Sequence, residues 1–179
     1  TGEPVEISCD VARSEVGDDT TIGLRRGWKY RKIASGKGWS VTETAGRLID
    51  AYGQHAASKI KVDDDGVGGG VVDILREQNY PVTALRGGTS ANQSKRFINA
   101  RTEWHWNVRT HLVDGRIDLD PRDEDLIQQL GQLRTNGFDS QGRMRAERKE
   151  DYKKRVGRSP DDADCCIYAF AEPISARTK

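Results

Sequence analysis

Alternating apolar and polar residues in the first part of the chain predict three strands. Val5 to Ala12 alternates Val, Ile, Cys and Val with Glu, Ser and Asp, which is typical of a buried strand. Two further strand-like runs follow at Thr20 to Leu24 and Trp28 to Ile33. Because the connections between the three runs are short, the pattern predicts an antiparallel meander.

After the meander, helical and strand-like patterns alternate. A helix is predicted from Ser40 to about Ser58, with Glu43 at the capping-box position. Short strands at Lys59–Val62 and Pro81–Leu85 flank a second helix, which follows the glycines at 68–70. A three-strand meander followed by helix, strand, helix and strand is the RNase H-like order. A doubly wound nucleotide-binding fold would alternate from the start.

The second half of the chain is predicted to be mainly helical. We expect a long helix over Ser94–Leu112, with Phe97 on its inner face, and an acidic surface helix over Pro121–Leu133. Residues 134–147 predict a β-hairpin inserted into the fold, and Pro160 begins the last helix. The expected fold class is α/β: one RNase H-like domain over residues 1–179, with a mixed sheet of the antiparallel meander plus parallel strands, flanked by helices.

Length, composition and cysteine count exclude only a few further classes of protein. The 179 residues are enough for one domain with a substantial core, and no apolar run approaches the ~20 residues of a membrane span, so no membrane partner is expected. The start at Thr1, without Met or a signal-peptide pattern, favours a domain excised from a longer protein. Cys9, Cys165 and Cys166 fit buried reduced thiols, and a zinc site would need a second cysteine pair.

Acidic residues fall where an RNase H-like fold would bring them together. Asp10 lies on the first strand, Asp63 ends the fourth strand, and Asp161 and Asp164 lie in the first turn of the last helix. Carboxylates are the ligands that Mg²⁺ and Mn²⁺ prefer, and two such ions ~4 Å apart can catalyse phosphodiester hydrolysis. An aspartate in an apolar strand, such as Asp10, is costly unless it is paired or bound to metal.

Each of these features also has a simpler explanation. Asp161 and Asp162 could serve only to stabilise the start of a helix. Residues 63–66, Asp-Asp-Asp-Gly, could form a solvated turn or a loose calcium loop, although the Glu that ends an EF-hand loop is missing. The glycine-rich residues 66–70 lack both nucleotide-binding patterns, because Val71 replaces a required glycine and no Lys-Ser/Thr follows. They more simply permit a tight turn and a close approach of the backbone.

Several short motifs, taken in order, also make the chain similar to a known family. They are Asp10-Val11-Ala12-Arg13, Gly17-Asp18-Asp19-Thr20, Val62-Asp63, the run from Gly66 to Asp73, Lys95-Arg96, Trp104, Gly142-Arg143-Met144-Arg145, Lys149, Arg158-Ser159-Pro160-Asp161 and Ala163-Asp164. With these motifs the chain resembles the C-terminal nuclease domain of tailed-phage terminase large subunits over nearly its whole length.

The resemblance implies an RNase H-like endonuclease that uses two Mg²⁺ or Mn²⁺ ions to cleave double-stranded DNA concatemers during genome packaging. Asp10, Asp63 and Asp164 match the positions of the catalytic acids, and Asp161 and Asp18 match accessory metal-site positions. Implied partners are double-stranded DNA, an upstream ATPase domain of the same protein, the small terminase subunit and the portal. The implied location is the cytoplasm of the infected bacterial host.

Duplex binding is expected to rest on contacts between phosphates and Lys or Arg. The predicted contacts lie on the hairpin and the basic run after it: Arg143, Arg145, Lys149, Lys153, Lys154 and Arg158. We expect this segment to lie beside the acids and, with little apolar surface to bury, to be mobile. No base-reading motif is present, so little sequence specificity is expected.

Two other functions remain open at this stage. Another RNase H-like nuclease, such as a Holliday-junction resolvase or a transposase-type recombinase, would share the acids. A non-catalytic module that clamps DNA for the packaging motor would keep the fold and the basic surface. The histidines, His55, His105 and His111, have no metal-like spacing and are assigned no role. Trp104 and Trp106 are expected to be packing residues.

Overall fold

A five-stranded mixed sheet lies at the centre of the protein, in a computed structural model that describes residues 2–12 and 17–173. The strand order is β3-β2-β1-β4-β5, and a separate two-stranded sheet pairs β6 with β7. The elements are β1 (Val5–Asp10), β2 (Asp19–Arg26), β3 (Lys29–Lys37), α1 (Val41–Gln54), β4 (Lys59–Asp63), α2 (Gly68–Glu77), β5 (Val82–Leu85), α3 (Ala100–Val113), α4 (Glu124–Gln132), β6 (Thr135–Phe138), β7 (Met144–Ala146), α5 (Lys149–Val156) and α6 (Asp161–Phe170).

The sheet has the predicted RNase H-like topology. Strands β1, β2 and β3 form the antiparallel meander, while β4 pairs parallel with β1 and β5 parallel with β4. The predicted fold class is therefore confirmed. Arg13 of the first sequence motif lies outside the described residues.

The alternation along β1 decides which face of the sheet receives the polar side chains. Ile7 and Cys9 are buried in the core that α1 and α2 cover. Ser8 and Asp10 point to the other face, where Ser8 lies 3.4 Å from Cys165 of α6. Because side chains alternate with a period of two along a strand, the same pattern that builds the core directs Asp10 toward α6.

Helix boundaries follow local capping. The predicted cap of α1 is confirmed, because the hydroxyl of Ser40 accepts the Glu43 N–H at 3.0 Å. The predicted start of the long helix at Ser94 is wrong: α3 begins at Ala100, with the Asn99 side chain as its cap. An asparagine that accepts an N–H of the first turn is a strong start signal, and it fixes the helix six residues later than apolar spacing alone indicates. Likewise α4 begins at Glu124, three residues after the predicted Pro121, behind the cap of Asp123.

The basic run after the hairpin forms a helix that the sequence analysis missed. Lys149–Val156 is α5, and Gly157 ends it in the left-handed conformation at φ 88°. The signals were present in the sequence, since Glu150 and Asp151 fall in the first turn and Lys and Arg fill the last. Such a charge distribution complements the helix dipole, and a glycine commonly follows a helix end.

The hairpin forms as predicted, but the body of the protein holds its second strand. The Met144 N–H donates to the Arg96 carbonyl at 2.7 Å, and the Ile98 N–H donates to the Met144 carbonyl at 3.1 Å. The Arg101 guanidinium donates to the Glu147 carbonyl at 2.8 Å. The base of the hairpin is thus anchored to the body of the protein by its backbone. No helix among the described residues has the length and apolarity to cross a membrane.

Candidate active site

Three acids meet at one edge of the sheet. Asp10 and Asp63 end the adjacent parallel strands β1 and β4, and Asp164 lies on α6, which packs across β1. All three line a cleft of about 1050 Å³. Asp10 is 2% exposed and Asp164 is 1% exposed, so these carboxyl groups are almost entirely removed from water. The structure therefore brings together the predicted catalytic acids.

Lys149 lies among the acids. Its ammonium is 3.0 Å from Asp10 Oδ2, 3.0 Å from Asp161 Oδ1 and 3.3 Å from Asp164 Oδ2. Burial lowers the pKa of Lys149, but the charges of the three carboxylates outweigh it and hold the pKa well above its ordinary value. Lys149 also lines the cleft, and its predicted contact with DNA stays a prediction. Lys149 is the first residue of α5 and reaches into the acid cluster.

The acids have raised pKa values for a shared reason. Burial raises the pKa of Asp10 well above its usual range, and the charges of Asp164, Asp161 and Asp63 raise it further against the opposing charge of Lys149. Burial also raises the pKa of Asp63 to about 6. Carboxylates that repel one another in a low-dielectric site favour any cation that can neutralise them.

The donor set fits a divalent cation. Both carboxylate oxygens of Asp164 and Oδ1 of Asp161 are buried and accept no hydrogen bond of ordinary geometry from a described residue. Buried acceptors normally have partners, and hard divalent cations bind such oxygens. Among the described residues, no group of three His, Cys, Asp or Glu side chains is gathered closely enough to enclose an ion. The Lys149 ammonium instead occupies the space between Asp10, Asp161 and Asp164.

The accessory acids differ in their surroundings. Asp161 is buried, and its Oδ2 accepts the Asp19 N–H at 2.9 Å, so it also holds the start of β2. Asp18 lines the cleft but is paired with Lys153. Asp162 faces away from the cluster and binds Lys32 at 2.7 Å, which favours the simpler, structural explanation for that residue.

His105 reaches the site although the sequence analysis assigned it no role. Its Nε2 lies 3.7 Å from Asp164 Oδ1, and an Arg101 nitrogen lies 3.9 Å from the same oxygen. The two residues are one turn apart on α3, on the side that packs against α6. Sequence spacing gave no sign of this contact, because it depends on how two distant helices pack.

The predicted DNA-binding residues divide into two groups. Arg145, Lys149 and Lys153 line the cleft, together with Arg148. The remaining three do not line it: Arg143 pairs with Asp139 at the hairpin turn, Arg158 pairs with Asp125 of α4, and Lys154 is exposed on α5. Three of the six predicted DNA contacts therefore lie in the cleft beside the acids.

Gly68 fixes the backbone that follows Asp63. A Cβ on Gly68 would lie 1.6 Å from the Asp63 carbonyl oxygen, so the expected close approach of the backbone is confirmed.

Gly68→Ala should lower the stability by about 1–3 kcal/mol, as overpacking does, and should displace Asp63. Thermal unfolding measures the effect. The control is Gly46→Ala, on the exposed face of α1. A Cβ on Gly46 meets nothing within 4 Å, so that variant should be slightly stabilised. Equal melting of Gly68→Ala and the parent would contradict the close approach.

The raised pKa of Asp63 predicts a pH-dependent stability in the absence of metal. Folding raises the pKa of Asp63 from 3.8 to about 6. The contribution of its carboxyl group to the free energy of unfolding is therefore complete below pH 3.8, and it is lost as the pH rises through about 6. The loss is at most about 3 kcal/mol. Urea unfolding in chelator should therefore show Asp63→Asn gaining stability relative to the parent between about pH 4 and about pH 6, with little further change above that range. A difference that does not change with pH would contradict the shifted pKa.

The sheet order and the acids on β1, β4 and α6 define an RNase H-like protein, and comparison with solved structures agrees. The nuclease domain of the large terminase subunit gp2 of bacterial virus Sf6 has a TM-score of 0.79 at 20% identity, over 95% of this chain and 89% of that one. A mutant of that domain with manganese gives 0.77. The large terminase nuclease of thermophilic phage G20c with bound magnesium gives 0.69 at 15% identity, over 94% of this chain and 81% of that one.

These similarities establish the fold, and they confirm at the level of structure the resemblance inferred from the motifs. No protein-family model matches the chain, and no curated protein sequence matches it significantly.

Proposed function

We propose that this chain is the nuclease domain of a phage terminase large subunit, a metal-dependent endonuclease that cuts double-stranded DNA concatemers during packaging. The main support is the convergence of Asp10, Asp63 and Asp164 on one cleft, where both carboxylate oxygens of Asp164 are buried and accept no hydrogen bond of ordinary geometry from a described residue. A cluster of buried like charges lowers the stability of a protein. Its presence therefore favours a function that needs those charges. Similarity to nuclease domains solved with magnesium and manganese supports the same function.

The proposed cofactor is a pair of Mg²⁺ or Mn²⁺ ions. Asp10, Asp63 and Asp164 would hold them, and Asp161 and Asp18 lie near enough to assist. Bound ions would stabilise the attacking and leaving oxygens and activate a water. The fold fixes the positions of the acids, because two of them lie at strand ends and the third lies on a helix. When no metal is bound, the Lys149 ammonium offsets their charge.

The cleft also has the charges to hold a DNA backbone. Arg145, Arg148 and Lys153 line it beside the acids, and phosphate contacts position a duplex without reading its sequence. We therefore propose cleavage with little sequence preference. The upstream ATPase domain, the small terminase subunit, the portal and the cytoplasm of the infected host belong to this proposal through the family resemblance.

Removing two cations from the cleft should weaken DNA binding. The double variant Arg145→Ala and Arg148→Ala should bind a duplex about tenfold more weakly, with the salt dependence of log K reduced by about 2. The matched control is Arg143→Ala with Lys154→Ala, which removes the same charge outside the cleft lining. Fluorescence anisotropy at several salt concentrations measures both. Equal losses in the two double variants would show that the cleft does not bind the duplex.

The choice of substrate separates this proposal from a junction resolvase. With Mn²⁺ present, the protein should cut linear duplex at least as fast as a four-way junction of the same sequence, because the basic residues beside the acids, Arg145, Arg148 and Lys153, line a single cleft. Mapped ends should show no dominant short consensus. Strong preference for the junction, or one consensus at the ends, would overturn the proposed function.

A further inference from the structure

A second cavity lies next to the active-site cleft. It has a volume of about 630 Å³ and is bounded by α3, the end of α4, β7 and Ile167 of α6. Thr102 and Ala146 line both this cavity and the cleft, so the two spaces are direct neighbours. The proposed nuclease function makes no use of this second cavity.

The walls of the cavity are mainly apolar. Side chains from three helices and the hairpin contribute to it, namely Val108, Leu112, Leu130, Leu133, Met144 and Ile167. His105 lines the same space while its Nε2 lies 3.7 Å from Asp164. Small-molecule sites typically have volumes of about 300–1,000 Å³ and combine apolar walls with a few polar groups. The size and the lining of this cavity meet both conditions.

Among the described residues, the charged groups that line the cavity are all basic: Arg109 and Arg134 line it, and no Asp or Glu does. Within the described part of the chain, neither guanidinium has an acidic partner within 4.0 Å. The Arg109 guanidinium lies over the ring of Trp106 at 4.9 Å, which orients a planar group that can bind a carboxylate or sulfonate through two hydrogen bonds.

We propose that this cavity is a binding site for a small amphiphilic anion, with an aromatic or branched aliphatic body and one acidic group. The body would fill the apolar interior, and the acidic group would pair with Arg109 and Arg134 at the cavity. A ligand against the ring of His105 would be one side chain away from Asp164. The binding step itself does not depend on the proposed nuclease function.

Two dyes that differ in one charge test the proposal. The anionic probe is 8-anilinonaphthalene-1-sulfonate, and the neutral control is N-phenyl-1-naphthylamine, which lacks the sulfonate. Fluorescence titration should show one anionic dye bound per chain. Arg109→Ala with Arg134→Ala should weaken the anionic dye about tenfold, or about 1.4 kcal/mol, and leave the neutral dye unchanged. Equal binding of the anionic dye before and after loss of both arginines would overturn the proposal.

A glycine in the cavity wall offers an independent test of location. A Cβ on Gly131 of α4 meets nothing within 4 Å, and Gly131 lines the cavity, so Gly131→Phe should fill it without straining the helix. The matched control is Gly46→Phe, on the exposed face of α1, where the space is equally open. Dye affinity should fall at least about tenfold in Gly131→Phe alone. Unchanged affinity in Gly131→Phe, or equal loss in both, would place the dye elsewhere and reject the site.

Discussion

Asp10→Asn, Asp63→Asn or Asp164→Asn will each reduce metal-dependent DNA cleavage by about a thousandfold or more. Each carboxylate converges on the same cleft, and bound ions supply several kcal/mol of charge stabilisation in the transition state. Because about 1.4 kcal/mol corresponds to a factor of ten in rate, losing one ligand removes most of the activity. Single-turnover cleavage of a labelled duplex measures the loss.

The fold should survive these substitutions. In chelator, each asparagine variant should melt no lower than the parent, because it removes a buried charge that its acidic neighbours repel. Asp73→Asn, on the exposed face of α2, is the control and should keep full activity. If a folded Asp164→Asn protein cuts DNA at the parental rate, the acid cluster takes no part in cleavage.

Lys149→Ala will strongly destabilise the protein in chelator and much less when Mn²⁺ is present. The Lys149 ammonium is the cation shared by Asp10, Asp161 and Asp164, and breaking a buried ion pair costs about 3–5 kcal/mol. The Lys149 side chain is 33% exposed, so solvent screening reduces the expected loss to about 1–3 kcal/mol. Bound Mn²⁺ would replace the missing charge and raise the melting temperature.

Thermal unfolding of two lysine variants makes this comparison direct. Lys154→Ala, on the exposed side of the same helix, should melt like the parent with and without Mn²⁺. Lys149→Ala should show the larger increase in melting temperature on adding Mn²⁺, because the ion no longer competes with an ammonium. Equal melting of the two variants in chelator would show that Lys149 does not hold the acids.

Much of the site was predictable because it follows from local patterns. Alternation along β1 predicted that Asp10 would lie on a strand, and the turn after β4 predicted the position of Asp63. Asp161 and Asp164 were predicted in the first turn of the last helix, and the RNase H-like order predicted that this turn would meet the acids of the strands. The glycines at 66–70 predicted a close approach of the backbone, which Gly68 makes against Asp63.

The side-chain contacts that the sequence could not predict depend on packing rather than on pattern. Lys149 resembles the other cations of its basic run, and only the approach of α5 to the acids separates it from Lys154. His105 contacts Asp164 because α3 packs against α6 across the sequence. Arg158 resembles a DNA contact by its place beside α6, yet the position of α4 gives it Asp125 as a partner.

Plasmid digestion with and without Mn²⁺ tests the central proposal, a metal-dependent nuclease, most directly. The purified protein should convert supercoiled plasmid to nicked and linear forms when Mn²⁺ is added, and chelator should stop the reaction, because the carboxylates need bound ions to act. Asp164→Asn protein, carried through the same purification, should remain inactive. Cleavage that continues unchanged in chelator, or no cleavage with any divalent cation by protein that binds DNA, would contradict the account.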